Sequence, residues 1–98
     1  MDRVYITSLF DLYKSLLTER ELSVFSNYYE QDLSMGEIAD NDSVSRSAVF
    51  NTLKIAEDKL NEYEEKLGLY KLYQKLEEIN RMDDVEDIKS SIRKILGD

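Results

Sequence analysis

Three observations place this chain in the all-α class, organised around a helix-turn-helix without a wing. It has no proline and only three glycines, so little interrupts a helix. Its apolar residues recur at spacings of three and four almost from end to end. Two serine caps, Ser34 and Ser45, stand eleven residues apart, which leaves room for one short helix and a turn before the next helix begins.

The first helix is read from Val4 to Leu17, where two apolar stripes run side by side: Tyr5, Leu9, Leu12, Leu16 and Ile6, Phe10, Tyr13, Leu17. So wide an apolar face predicts a mostly buried helix. Thr18 with Glu21 three residues on makes a capping box for a second helix, whose inner face is expected to be Leu22, Phe25 and Tyr29. The aromatics Phe10, Tyr13, Phe25, Tyr28 and Tyr29 fall at helical spacing and are expected to pack a core rather than form a base-stacking platform. Gln31-Asp32-Leu33 is a short connection.

Ser34 and Glu37 make a second capping box and open the short helix of the motif. Ala39 permits close approach of the two helices, and Ile38, Val44 and Val49 are expected to supply the apolar contacts that hold them at an angle. Two residues depart from the usual pattern of such motifs: Asp42 stands where an apolar residue is normal, and Ser43 where the turn glycine is normal. A buried carboxylate without a partner is costly, so the turn is expected to be shifted or more open, with Asp42 in solvent.

From Ser45 a long recognition helix follows, its seam Val49, Leu53, Ala56, Leu60, Tyr63, Leu67 and Tyr70 spaced as heptads. Gly68 is expected to end it in a left-handed cap, because Leu69, Leu72, Leu76 and Ile79 begin a new stripe in a different phase, read as a separate helix from Leu69 to about Asn80. The seam is expected to pack partly on the chain's own helices and partly on a second copy. Asp83, Asp84 and Glu86 open a last amphipathic helix carrying Val85, Ile88, Ile92 and Ile95, with Arg93 and Lys94 near its end, where cations suit the helix dipole. The organisation expected is one domain: residues 1–68 as the helix-turn-helix core and 69–98 as a C-terminal helical extension.

Composition narrows the function. The 98 residues are 42% hydrophobic and 35% charged, which describes a foldable chain of one domain at most. No apolar run approaches the roughly 18 residues of a membrane span, and Met1-Asp2-Arg3 lacks the basic-then-apolar order of a signal peptide, so the cytoplasm is the expected compartment. The absence of cysteine and histidine removes thiolate chemistry, cysteine zinc sites and the imidazole base together. The neighbouring acids Glu64-Glu65 and Asp83-Asp84 have no glycine loop or histidine to complete a metal or catalytic set and are expected to be solvated. No enzymatic activity and no cofactor are predicted.

The net charge of −8 argues against indiscriminate binding to phosphate, yet fields between exposed charges fade beyond about 8 Å at physiological salt, so local distribution matters more. From Ser45 to Ala56 the only ionisable residues are Arg46 and Lys54, whereas Glu57 to Lys66 holds five acids and two lysines. Only the first half of the long helix suits a phosphate. The candidate nucleic-acid-binding residues are therefore Ser45, Arg46, Ser47, Phe50, Asn51 and Lys54. Ser45 and the free amides of the helix start can hold a phosphate, Arg46 can pair with guanine, Asn51 with adenine, and Phe50 can touch a thymine methyl.

With these residues in view, the chain resembles the YlxM family of helix-turn-helix proteins. The likeness runs through Leu9-Phe10-Asp11-Leu12-Tyr13, Ser15-Leu16-Leu17-Thr18, Tyr28-Tyr29, Asp32-Leu33-Ser34, Glu37-Ile38-Ala39, Val44-Ser45-Arg46-Ser47-Ala48-Val49 and Glu62-Tyr63-Glu64-Glu65-Lys66-Leu67-Gly68-Leu69-Tyr70. The motif alone is also similar to region 4 of bacterial sigma factors; the run from Glu62 to Tyr70 is more distinctive. In bacteria this family is encoded beside signal recognition particle components, so the resemblance implies a regulatory role connected to that pathway through DNA, particle RNA or particle protein. Two functions stay open at this point: a nucleic-acid-binding regulator, and a protein-interaction module whose acidic surface meets a particle or transcription protein. A homodimer is expected in either case.

Overall fold

The computed structural model of the protein describes residues 2–97. Its helices are α1 (Arg3–Tyr13), α2 (Glu19–Tyr29), α3 (Met35–Asp42), α4 (Arg46–Leu67), α5 (Leu69–Asn80) and α6 (Val85–Ile95), with a 3₁₀ turn over Lys14–Leu16; no strand occurs among the described residues. They fall into two compact units, one ending at Leu67 and the next starting at Gly68. None of the helices among the described residues is long and apolar enough to cross a membrane.

The first unit is built around α4, against which α1, α2 and α3 all pack. Ile6, Leu9, Phe10 and Tyr13 of α1, Val24 and Phe25 of α2, Ile38 and Ala39 of α3, and Val49, Leu53, Ala56 and Leu60 of α4 form its core. The aromatics do pack inward: the Phe10 and Phe25 rings stack with centroids 4.4 Å apart, and Phe25 stacks on Tyr29 at the same separation. Burial of each phenylalanine stabilises the unit by about 1.5–3 kcal/mol.

The first helix is shorter than its apolar stripes suggest. It stops at Tyr13 and tightens into the 3₁₀ turn, leaving Leu16 half-exposed and Leu17 extended at φ −87°, ψ 154°. The capping box that follows explains the early stop: Thr18 needs an extended approach, its hydroxyl accepting from the Glu21 N–H at 3.1 Å while the Glu21 carboxylate accepts from the Thr18 N–H at 2.9 Å. Fixing that start also fixes the phase of α2. Glu21, Val24 and Phe25 face inward, and Leu22, expected inside, lies on the solvent side at 36% exposure. Glu21 tolerates its position because the Lys59 ammonium lies 2.8 Å from its carboxylate.

On α4 the heptad seam is buried from Val49 to Leu60 and then leaves the core. Leu67 is 57% exposed, while Glu64, absent from the seam, is buried and accepts the Tyr13 hydroxyl at 2.7 Å. A straight helix at 3.6 residues per turn drifts by about 20° per heptad, which rotates Leu67 outward and Glu64 inward. The helix ends as expected at Gly68, left-handed at φ +66°.

The second unit is a two-helix hairpin. Asp84 caps α6, its carboxylate accepting from the Asp87 N–H at 3.0 Å, with acids in the first turn and Arg93 and Lys94 in the last. Neither α5 nor α6 contains a fully buried residue.

Candidate nucleic-acid interface

The motif consists of α3, the turn at Ser43–Ser45 and the start of α4. Ser34 opens α3 with the anticipated box: its hydroxyl accepts from the Glu37 N–H at 3.1 Å, and Glu37 accepts from the Ser34 N–H at 3.0 Å. Hydrogen bonding from the Ser34 backbone N–H, and then from its side chain, holds the Glu37 carboxyl below the usual glutamate range.

The turn is neither shifted nor opened. Ser43 takes the left-handed conformation (φ 57°, ψ 44°) that glycine would occupy. The Val44 N–H reaches back to the Ala39 carbonyl at 3.0 Å and the Ser43 N–H to that of Asp40 at 3.4 Å, the two bonds of a Schellman ending. Asp42, expected in solvent, is half-buried and paired with Arg20 of α2, Nη1 to Oδ2 at 2.6 Å. A partner twenty-two residues upstream is thus what lets a carboxylate stand at an apolar position. Ile38 and Val49 are fully buried where α3 packs on α4, but Val44, expected to join them, is 39% exposed. Its N–H is committed to the turn, and the chain there runs along the surface.

Ser45 caps α4, its hydroxyl accepting from the Ala48 N–H at 3.0 Å. All six candidate residues are exposed. Arg46, Ser47, Phe50 and Asn51 come together along one shallow depression, whose other wall is Met35 and Gly36 at the start of α3. Ser45, used as the cap, and Lys54, one turn further on, lie outside it. The Arg46 guanidinium lies directly against Gly36: a Cβ there would fall 2.9 Å from Nη2. Met35 and Gly36 are the residues that sequence reasoning missed. The available signal was a glycine inside an eight-residue helix, a costly choice unless something approaches closely.

Electrostatics separate the two candidate cations. Lys54 is paired with Asp58 at 3.3 Å, whereas Arg46 has no ion pair among the described residues. Both members of the Lys54–Asp58 pair are exposed, so that pair exchanges readily for another anion. The surroundings are acidic: residues 1–67 contain seven Lys and Arg against fourteen Asp and Glu.

Over residues 1–97 the chain matches the model of a family described as "Putative helix-turn-helix protein, YlxM / p13 like". The chain belongs to this YlxM / p13-like helix-turn-helix family. It is 43% identical over 91 residues to a UPF0122 protein of Caldanaerobacter subterraneus subsp. tengcongensis, covering 93% of this chain and 74% of that protein. To a UPF0122 protein of Thermoanaerobacter sp. it is 41% identical over 85 residues, 87% of this chain and 71% of the other. A UPF0122 protein of Listeria welshimeri is 46% identical over 71 residues, 72% of this chain and 64% of its own length. The match to the YlxM / p13-like model takes in the motif, the long helix and both C-terminal helices, in agreement with the resemblance read from the residues.

Proposed function

We propose that this YlxM / p13-like protein is a cytoplasmic, non-enzymatic regulator that binds nucleic acid through the first turns of α4. One observation carries this: Arg46, Ser47, Phe50 and Asn51 share one exposed depression at the helix-turn-helix, and Arg46 has no competing ion pair among the described residues. That arrangement offers a guanidinium for a phosphate or a guanine, an amide for an adenine edge and a ring for an apolar contact. Ser45 contributes its place at the helix start, and Lys54 a second cation once it lets go of Asp58. Because the family resemblance connects the chain to the signal recognition particle pathway, DNA of that operon and particle RNA are the targets to test. The test is binding of each at low salt by the wild type and by Arg46→Ala and Lys54→Ala.

A second function is favoured by a separate observation, the two-to-one excess of acids over bases in residues 1–67. Such a surface repels phosphate and suits a basic protein partner, so the same fold would serve as a protein-interaction module. The two separate cleanly. A nucleic-acid site loses affinity in Arg46→Ala, whereas an acidic docking face is indifferent to that change and loses affinity when exposed acids such as Asp40 and Asp58 are neutralised.

A further inference from the structure

We infer that the depression beside Arg46 takes an unpaired nucleotide, its base stacked on the Phe50 ring, in preference to the groove of a duplex; the inference rests on the nucleic-acid site proposed above. Phe50 leads there. The other two phenylalanines, Phe10 and Phe25, are buried and stacked on each other, whereas Phe50 is 53% exposed and shares no ring contact among the described residues. It stands one turn beyond Arg46 on the same face of α4, and both border the depression with Asn51, opposite Met35 of α3. Inside a duplex each base has its faces covered by its neighbours and shows only its edges, so a ring in the groove reaches little more than a thymine methyl. An unstacked base offers its whole face to Phe50, with the Asn51 amide beside it to meet the base edge and the Arg46 guanidinium to meet a phosphate.

Charge points the same way. Duplex DNA carries one negative charge per about 1.7 Å of its axis, and a helix lying in its groove has a phosphate ridge on either side. Of the seven Lys and Arg in residues 1–67, five are held in ion pairs and Lys14 lies over the Phe10 ring, which leaves Arg46 as the one cation without such a partner among the described residues. The exposed acids Asp40 and Asp58, one on each helix of the motif, repel a dense row of phosphates further. A single strand carries about half that charge per unit length and is held in large part by stacking, which needs no cation.

Fluorescence anisotropy tests this with labelled single strands of about ten nucleotides, one of DNA and one of RNA, each also annealed to its complement. The full chain is expected to bind the single strands at least about tenfold tighter than the duplexes, and the DNA and RNA arms show which backbone is preferred. Phe50→Leu keeps an apolar side chain but removes the ring, and is expected to lose about tenfold on the single strands. Phe50→Trp restores the ring and is expected to restore affinity; it also places the first tryptophan in the chain at the site, and its emission is expected to be quenched when a base stacks on it. Both changes lie at an exposed position outside the core, so the wild-type Tm is expected to be kept. Duplexes bound as tightly as single strands, wild-type affinity in Phe50→Leu, or unquenched emission from bound Phe50→Trp overturns the inference while leaving the nucleic-acid site in place. Failure of the wild type to bind any of the four probes at low salt removes that site, and the inference with it.

Discussion

The Arg20 guanidinium holds the Asp42 carboxylate at 2.6 Å, tying α2 to the last turn of α3 just before the motif bends. This pair replaces the apolar contact that helix-turn-helix sequences usually make at that position. Both side chains are partly solvated, 41% and 25% exposed, which limits the strength of the pair. A double-mutant cycle of Arg20→Ala and Asp42→Ala, read by urea denaturation, is expected to give a coupling of about 0.5–1 kcal/mol. Zero coupling contradicts the role assigned to the pair.

Ser43 is left-handed at φ 57°, and its exposed side chain gives nothing back in packing. Ser43→Gly removes the steric cost of that conformation and adds freedom to the unfolded chain, effects of opposite sign. The balance is expected to stabilise the protein by about 0.5–1 kcal/mol, seen as a rise in Tm. A fall in Tm would show that the serine is holding the turn in some other way.

The capping boxes, the end of α4 at Gly68 and the limits of α5 were legible in the sequence because each depends on residues within one turn of one another. Leu22, Leu16 and Leu67 were misplaced for a shared reason. An apolar residue one step off the true phase looks the same in a stripe, and only the packed partner decides which side turns inward. Glu64 and Asp42 were beyond reach because their partners, Tyr13 and Arg20, are distant in sequence. The candidate site was half legible: Arg46, Ser47, Phe50 and Asn51 follow from the motif, but the opposite wall at Met35 and Gly36 required α3 and α4 to be set side by side.

Glu21 sits inside the first unit, and burial alone would push its carboxyl up in pKa. The Lys59 ammonium and the Thr18 N–H and hydroxyl together outweigh that, holding it below the usual glutamate range. A carboxyl lowered by folding contributes stability that is fully present above its unfolded pKa and is lost as pH falls through the folded one. Stability is therefore expected to decline as pH drops below the ordinary glutamate range. Glu21→Gln should cost about 2 kcal/mol at neutral pH and flatten that decline. An unchanged acid slope in the variant would remove Glu21 from the account.

Gly36→Ala separates folding from binding. The added methyl meets only the far end of the flexible Arg46 side chain, so α3 should form at least as well as before while the guanidinium is pushed from its place. The expected result is an unchanged or raised Tm with nucleic-acid affinity lowered toward that of Arg46→Ala. Wild-type affinity in Gly36→Ala would mean that the position of Arg46 over α3 is unimportant for binding.

Nucleic-acid binding by the depression around Arg46 is tested by fluorescence anisotropy of labelled operon DNA and particle RNA, titrated with wild type and Arg46→Ala at low and then raised salt. Measurable binding at low salt that weakens as salt rises is expected, with a loss of about fivefold to a hundredfold in Arg46→Ala. No binding to either nucleic acid at low salt, or equal binding by the two proteins, would contradict it.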